Sequence, residues 1–497
     1  MSVIQTIDYA AIAPPLILAL TALVVLVADL FIPRHRRGAV LGATSIVGVL
    51  VALVATVALV RQPDRTTFPL PGQGAGVAFA VDNFTLFFWT LFLLVAVVVL
   101  LLSSPYVTEA RIPIGEYHFL LLAAFTGMLV LAASRDLVTL IVALEVVSLP
   151  AFALTALRRY DGRSTEAALK FFIVSVLATA VSLYGISLVY GLTGAVDFAR
   201  VPRGLQGDQP VIAGVAVVLV LVGFGFKVSA VPFHFWAPDT YQGAPVPIAA
   251  LLSTASKAAG FAGILLLLRE ALTPYADVLG SVIAVLAALT MTLGNLVALR
   301  QRQAVRLLAW SSIAQAGYML VPLAVAATAT GSTLDRAVAA TLAYLAIYAA
   351  MNIGAFTCVI AVARTRPRAL LADFRGLART APGVALALAF FLVNLAGLPP
   401  GLAGLFGKIV VFRAAIDGGL GWLAIVMAVN TVVALYYYIV WATLVFAGRE
   451  EGAERIRVAL ARPVAAALAV SATVTVLFGV APELVLRVAP LSALALG

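Results

Sequence analysis

The chain alternates between long apolar runs and short polar punctuation. Fourteen runs stand near 11–32, 39–60, 80–103, 117–133, 136–157, 166–192, 210–231, 246–268, 277–299, 304–327, 335–363, 383–415, 420–447 and 460–482. A helix of about 20 apolar residues crosses about 30 Å of hydrocarbon. The residue-by-residue alternation of a membrane β-barrel is absent. The pattern predicts an all-α polytopic membrane protein of 14 transmembrane helices. Two runs are not simple helices. The seventh meets Pro232, and the twelfth is overlong and contains Leu398-Pro399-Pro400-Gly401, so both are expected to break.

Composition sharpens this picture. Hydrophobic residues make up 63% of the 497 positions and charged residues only 11%, against about 25% in soluble domains. The net charge of +10 comes from 28 arginines, most of them in short loops. With the N-terminus outside, nineteen arginines fall in inside loops and eight in outside loops. The positive-inside rule then places both termini on the outer side of the membrane. No basic stripe with interleaved aromatics suggests nucleic-acid binding. The first run is too long for a signal peptide and is kept as a span. The single cysteine, Cys358, cannot build a cluster or a cysteine zinc site. No nucleotide-binding fingerprint is present, so no cofactor is expected in this chain.

One membrane domain, 1–497, is expected. It divides into three leading helices (1–116), a first repeat (117–271), a second repeat (272–447) and a last helix (448–497). Glu145 precedes Pro232 by 87 residues, and Ser311 precedes Pro399 by 88. Spans four to eight would then correspond to spans nine to thirteen. Five spans is an odd number, so tandem units of that kind are inverted in the membrane, a recurrent plan for ion translocators.

Four lysines exist, Lys170, Lys227, Lys257 and Lys408, and each lies in or at a span. Intramembrane charge is expensive and marks function by default. Arginine stays charged at any accessible pH, whereas a buried lysine can release its proton, as a relay requires. Lys257 lies near mid-membrane, where a snorkelling stem reaches water least easily. Lys227 and Lys170 lie nearer span ends, and for them snorkelling is the competing account. Glu145 is the carboxylate near the middle of span five. His234, seven residues after Lys227, is a candidate relay or an interfacial histidine. Proline cannot satisfy the carbonyl four residues before it. Pro232 should therefore free the carbonyl of Val228, and Pro399 and Pro400 those of Leu395 and Ala396.

These residues resemble the N-subunit family of bacterial NADH-quinone oxidoreductase, respiratory complex I. The resemblance rests on FKVSAVPFHFWAPDTYQGAPVPIAALLSTASKAAGF across spans seven and eight and on LAGLPPGLAGLFGK in span twelve. It implies two inverted five-helix repeats, with spans seven and twelve broken. It also implies pairing of Glu145 with Lys227, a proton path continuing through Lys257 and Lys408, and Lys170 as an auxiliary lysine. FMN, iron–sulfur clusters and quinone would be bound by other subunits. Partners would include the M-type antiporter-like subunit, small K- and J-type subunits, and lipids. The alternatives are a stand-alone Mrp-type cation/proton antiporter or a related membrane hydrogenase subunit. A purely structural scaffold would not account for lysines confined to the membrane.

Overall fold

The computed structural model describes residues 7–70, 76–158, 160–448, 458 and 460–485. Arg159, Arg449, Arg455, Arg457 and Arg487, which enter the loop charge count, lie outside the described residues, as do both chain ends.

The first helices are α1 (Tyr9–Phe31) and α2 (Arg34–Leu59). Asp8 caps α1, accepting from the Ala10 and Ala11 amides, and Arg65 donates to Asp8 at 2.7 Å. A hairpin follows, β1 (Arg65–Pro69) against β2 (Val77–Val81), antiparallel with Thr67 opposite Phe79. This corrects the all-helical expectation outside the bilayer. The alternating Thr-Phe and Val-Phe-Val positions suit a pleated ribbon, but the segment is too short and polar to read as a span.

Next come α3 (Asn83–Glu109), α4 (Ile114–Ala133), α5 (Leu137–Ala156), α6 (Gly162–Thr193) and the single turn α7 (Val201–Gly204). The predicted seventh span, 210–231, is α8 (Pro210–Val228) running into a non-helical stretch, and the short helix α9 (Trp236–Gly243) follows beyond it. The eighth is also interrupted. It consists of α10 (Val246–Ser253), α11 (Ala255–Leu266) and a π-helical turn over Leu267–Ala271. Then follow α12 (Ala276–Ala298), α13 (Ala304–Thr328) and α14 (Gly331–Ala363). The turn α15 (Leu377–Thr380) precedes the predicted twelfth span, which is divided into α16 (Pro382–Ala396) and α17 (Leu402–Asp417). The last described helices are α18 (Gly421–Phe446) and α19 (Arg462–Val480).

Among the described residues, thirteen helices are long and apolar enough to cross a membrane, and α16 is a shorter apolar helix. α10–α11, α13 and α14 form the centre and are almost entirely buried, whereas α1, α6 and α19 are mostly peripheral. Ala-rich faces let the central helices approach closely, because packing rather than water exclusion drives helix association in lipid. On the face where α4 turns into α5, Arg135 pairs with Asp82 at 2.5 Å and with Glu270 at 3.4 Å.

The two predicted breaks begin before their prolines. Ser229 takes a left-handed φ of 61° and ends α8, its amide turning back to Phe226. Gly397, with φ 76°, ends α16 in the same way. Pro232 and Pro399 then exclude continuation, because a proline ring clashes with the preceding helical turn and disfavours helix in the residue before it. By contrast, α5 runs on through Pro150.

Candidate functional site

Lys227, Lys257 and Lys408 are 1%, 1% and 3% exposed. At that burial, snorkelling to headgroups is not what this structure shows for Lys227. Among the described residues no carboxylate pairs directly with any of the three; each ammonium rests on neutral oxygen. Lys227 Nζ donates to Ser148 Oγ at 3.0 Å. Lys257 Nζ donates to the Ser312 carbonyl at 2.7 Å and approaches Ser312 Oγ at 3.4 Å. Lys408 Nζ donates to the Ala396 carbonyl at 2.6 Å and lies 5.0 Å from the centre of the Tyr318 ring. An ammonium has three donors, so these partners leave capacity that water or proton release must take up.

The freed carbonyls explain the Lys408 site. Ala396 O binds the lysine, and Leu395 O accepts from Gln315 Nε2 at 3.1 Å. These are the two carbonyls that Pro399 and Pro400 were expected to release. At the other break, the carbonyl used is that of Phe226, which accepts from Trp236 Nε1 at 3.0 Å. It is not that of Val228.

The lysines are linked through packing and hydrogen bonds. A Cβ on Gly260 would lie 3.1 Å from Lys227 Cβ, so the Lys227 stem crosses α11 one turn from Lys257. From Lys257 the polar groups of α13 lead onward. Ser311 hydrogen-bonds Tyr438. Gln315 Nε2 donates to Tyr438 OH at 3.3 Å, and Tyr344 OH donates to Gln315 Oε1 at 2.5 Å. Gln315 also touches Leu395 O, beside the carbonyl that holds Lys408.

Three predicted residues sit differently from their expected places. Glu145 is partly exposed and accepts from Thr179 Oγ1 at 2.7 Å. It does not touch Lys227, because Ser148, one turn along α5, takes the ammonium instead. His234 is buried in the non-helical stretch with its ring 5.5 Å from that of Trp310, and its Nδ1 has no partner. Lys170 is outside the row altogether. It is half exposed and pairs with Glu166 at 2.7 Å and Asp239 at 3.0 Å. Burial works to raise the Asp239 carboxyl, but hydrogen bonds from Arg306 and Lys170 outweigh it and hold the group below its ordinary value.

Several site residues were not singled out from sequence: Ser148, Thr179, Ser312, Gln315, Tyr344 and Tyr438. Ser311, Ser312 and Gln315 carried a signal, three polar residues at i, i+1 and i+4 in an apolar run. The rest are ordinary helix positions until neighbouring helices are in place. No group of three or more His, Cys, Asp or Glu suited to a metal occurs among the described residues.

Interrupted membrane helices that hold buried lysines on neutral oxygen define the class, a polytopic membrane protein of antiporter-like architecture. The family described as NADH:quinone oxidoreductase/Mrp antiporter, TM, matches residues 134–434, and the chain belongs to that family. NADH-quinone oxidoreductase subunit N 2 of Streptomyces griseus is 50% identical, with 99% of this chain and 95% of the relative covered. NADH-quinone oxidoreductase subunit N of Salinispora tropica is 43% identical, covering 98% and 100%. A chain in the structure of respiratory complex I from Thermus thermophilus with bound aureothin superposes with a TM-score of 0.76. It is 34% identical, covering 95% of this chain and 98% of that one. A chain of the Mrp complex from Dietzia, 22% identical with a TM-score of 0.80 over 96% and 97%, shares the fold.

Proposed function

We infer that the chain is a proton-translocating membrane subunit of NADH-quinone oxidoreductase, of the N type. The observation that carries this reading is the set of three buried lysines on neutral oxygens at three interrupted spans, in a chain whose full-length relatives bear that name. Glu145, Lys227, Lys257 and Lys408 carry the proton, with Ser148, Ser312 and Gln315 between them. A proton arriving at one lysine makes a second charge on its neighbour less favourable, and this coupling drives transfer along the row. His234 and Lys170 are auxiliary. The halves α16 and α17 together form a fourteenth crossing, and spans four to eight and nine to thirteen are inverted repeats.

Electron transfer takes place in other subunits, which hold FMN, iron–sulfur clusters and quinone. Partners are the M-type antiporter-like subunit, the small K- and J-type subunits, and lipid. Both termini face the outer side of the bacterial membrane. Stand-alone sodium/proton exchange is disfavoured because, among the described residues, Glu145 is the single carboxylate by the lysine row, whereas hard cations prefer clustered oxygens.

The test replaces Lys257 by Met or Arg in the assembled complex and compares NADH oxidation with proton uptake into inverted vesicles. Methionine carries no proton and arginine does not release one. Both variants are expected to assemble and to pump fewer protons per NADH. A wild-type ratio in either removes Lys257 from the path.

A further inference from the structure

The short helix α9 carries charge on one side and unsatisfied hydroxyls on the other. On its charged side, Asp239 accepts from Lys170 Nζ of α6 at 3.0 Å and from Arg306 Nη1 of α13 at 2.7 Å. The same Arg306 nitrogen donates to Gln242 at 2.7 Å. Asp239, Gln242, Lys170, Glu166 and Arg163 line a cleft of about 240 Å³.

On its hidden side, Thr240 and Tyr241 are fully buried, and neither hydroxyl has a hydrogen-bond partner. Tyr241 approaches Ser312, whose carbonyl holds Lys257. Tyr348 of α14 approaches the same serine, and its hydroxyl is likewise unpartnered. One turn further along α14, Asn352 donates to Ser253 at 2.8 Å while its Oδ1 stays free. Buried polar atoms that protein leaves unsatisfied mark a place for ordered water.

Helix α9 lacks helical continuity at either end, being bounded by the stretch from Ser229 to Phe235 and by Ala244 and Pro245. Lateral contacts alone fix it. At its start, Trp236 stacks on Phe171 with ring centres 4.4 Å apart. At its end, Gly243 presses against α6, where a Cβ would lie 2.7 Å from the Arg163 carbonyl oxygen. Between these anchors, Asp239 ties α9 to α6 and α13. Residues 239 and 241 project to opposite sides of a helix, about 200° apart.

We propose that Asp239 is a positioning residue. By joining Lys170 and Arg306 across α9, it fixes Tyr241 against Ser312 and sets the water-bearing gap beside Lys257. This rests on Lys257 being part of the proton path.

The test uses the assembled complex in membrane vesicles. It measures hydrogen–deuterium exchange of the segment 236–243 and protons pumped per NADH. Asp239→Asn is expected to speed exchange by roughly 10-fold and to lower the pumping ratio about two- to ten-fold. Asp239→Glu is expected to restore both. Tyr241→Phe is expected to lower the ratio with exchange unchanged, an effect that loss of helix anchoring alone does not produce. If Asp239→Asn fails to assemble, the double variant Lys170→Gln with Arg306→Gln takes its place with the same expectation. Unchanged exchange in the variant that breaks the ion pairs, or a wild-type ratio in Tyr241→Phe, overturns the proposal. Lys257→Met pumping at the wild-type ratio overturns the relay reading instead, and the exchange of the Asp239 variants still decides whether the latch exists.

Discussion

At the scale of single residues, Gly260 decides how closely the Lys227 stem approaches the helix that carries Lys257. A Cβ there would lie 3.1 and 3.2 Å from Lys227 Cβ and Cγ, and 2.8 Å from Val228 Cγ1. The lysine stem can bend away, but β-branched Val228 has little rotamer freedom in a helix. Alanine at 260 should therefore push α8 from α11 and carry Lys227 off Ser148. We expect Gly260→Ala to cost about 1–3 kcal/mol by overpacking and to lower protons pumped per NADH while NADH oxidation continues. Thermal inactivation of the assembled complex measures the first effect, and vesicle pH-dye quenching the second. A variant that loses heat resistance yet pumps normally would show that the Lys227–Ser148 geometry is not needed. From sequence, Gly260 was only a small residue three positions after Lys257. Its role needed the neighbouring helix, because close approach belongs to a pair of helices and not to either alone.

At the scale of elements, what proline chemistry dictates was legible and what side-chain register dictates was not. The breaks at α8–α9 and α16–α17 follow from Pro232, Pro399 and Pro400. The release of the Leu395 and Ala396 carbonyls follows from ring geometry alone. The interruption at Thr254, with φ −116° and ψ −87°, has no proline or glycine to announce it. It appears only with α10 and α11 in place, where Asn352 holds Ser253. The exchange of Glu145 for Ser148 as Lys227's partner is of the same kind, since the two residues sit one turn apart on α5. The ionic latch on α9 also gives a pH dependence of definite sign. Burial tends to raise the Asp239 carboxyl, and the Arg306 and Lys170 hydrogen bonds more than offset it, leaving it depressed. A depressed carboxyl stabilises above its ordinary value and loses that contribution as pH falls through its folded value. The groups facing it are the cations Lys170, Arg306 and Arg163, and the carboxylate Glu166. Exchange protection of 236–243, corrected for intrinsic rates, should stay level from about pH 8 to pH 5 and fall only below about pH 4. A decline centred near pH 6 would point to a histidine and away from Asp239.

At the scale of the whole molecule, the hydrophobic pattern foretold the helical architecture, and the arginine bias gives the expectation of which face is outside. Packing fixes the relation between faces. Asp8 and Arg65 pair at one end of the bundle, the end that also holds Asp82 and Arg135. The Lys170–Asp239–Arg306 cleft lies at the other end. One accessible site per face is therefore enough to orient the whole protein. Cys358 is fully buried in α14, so the native chain should be silent to a membrane-impermeant maleimide. Arg61 and Arg300 are exposed, the first just after α2 and the second just after α12. With both termini outside, Arg61→Cys should label in intact cells and Arg300→Cys only in inverted vesicles. The reverse labelling would turn the protein over and open the α9 cleft to the outer side. Lys257 would then be served from the wrong compartment for proton uptake, and the path would have to be redrawn with Lys408 at its inner end.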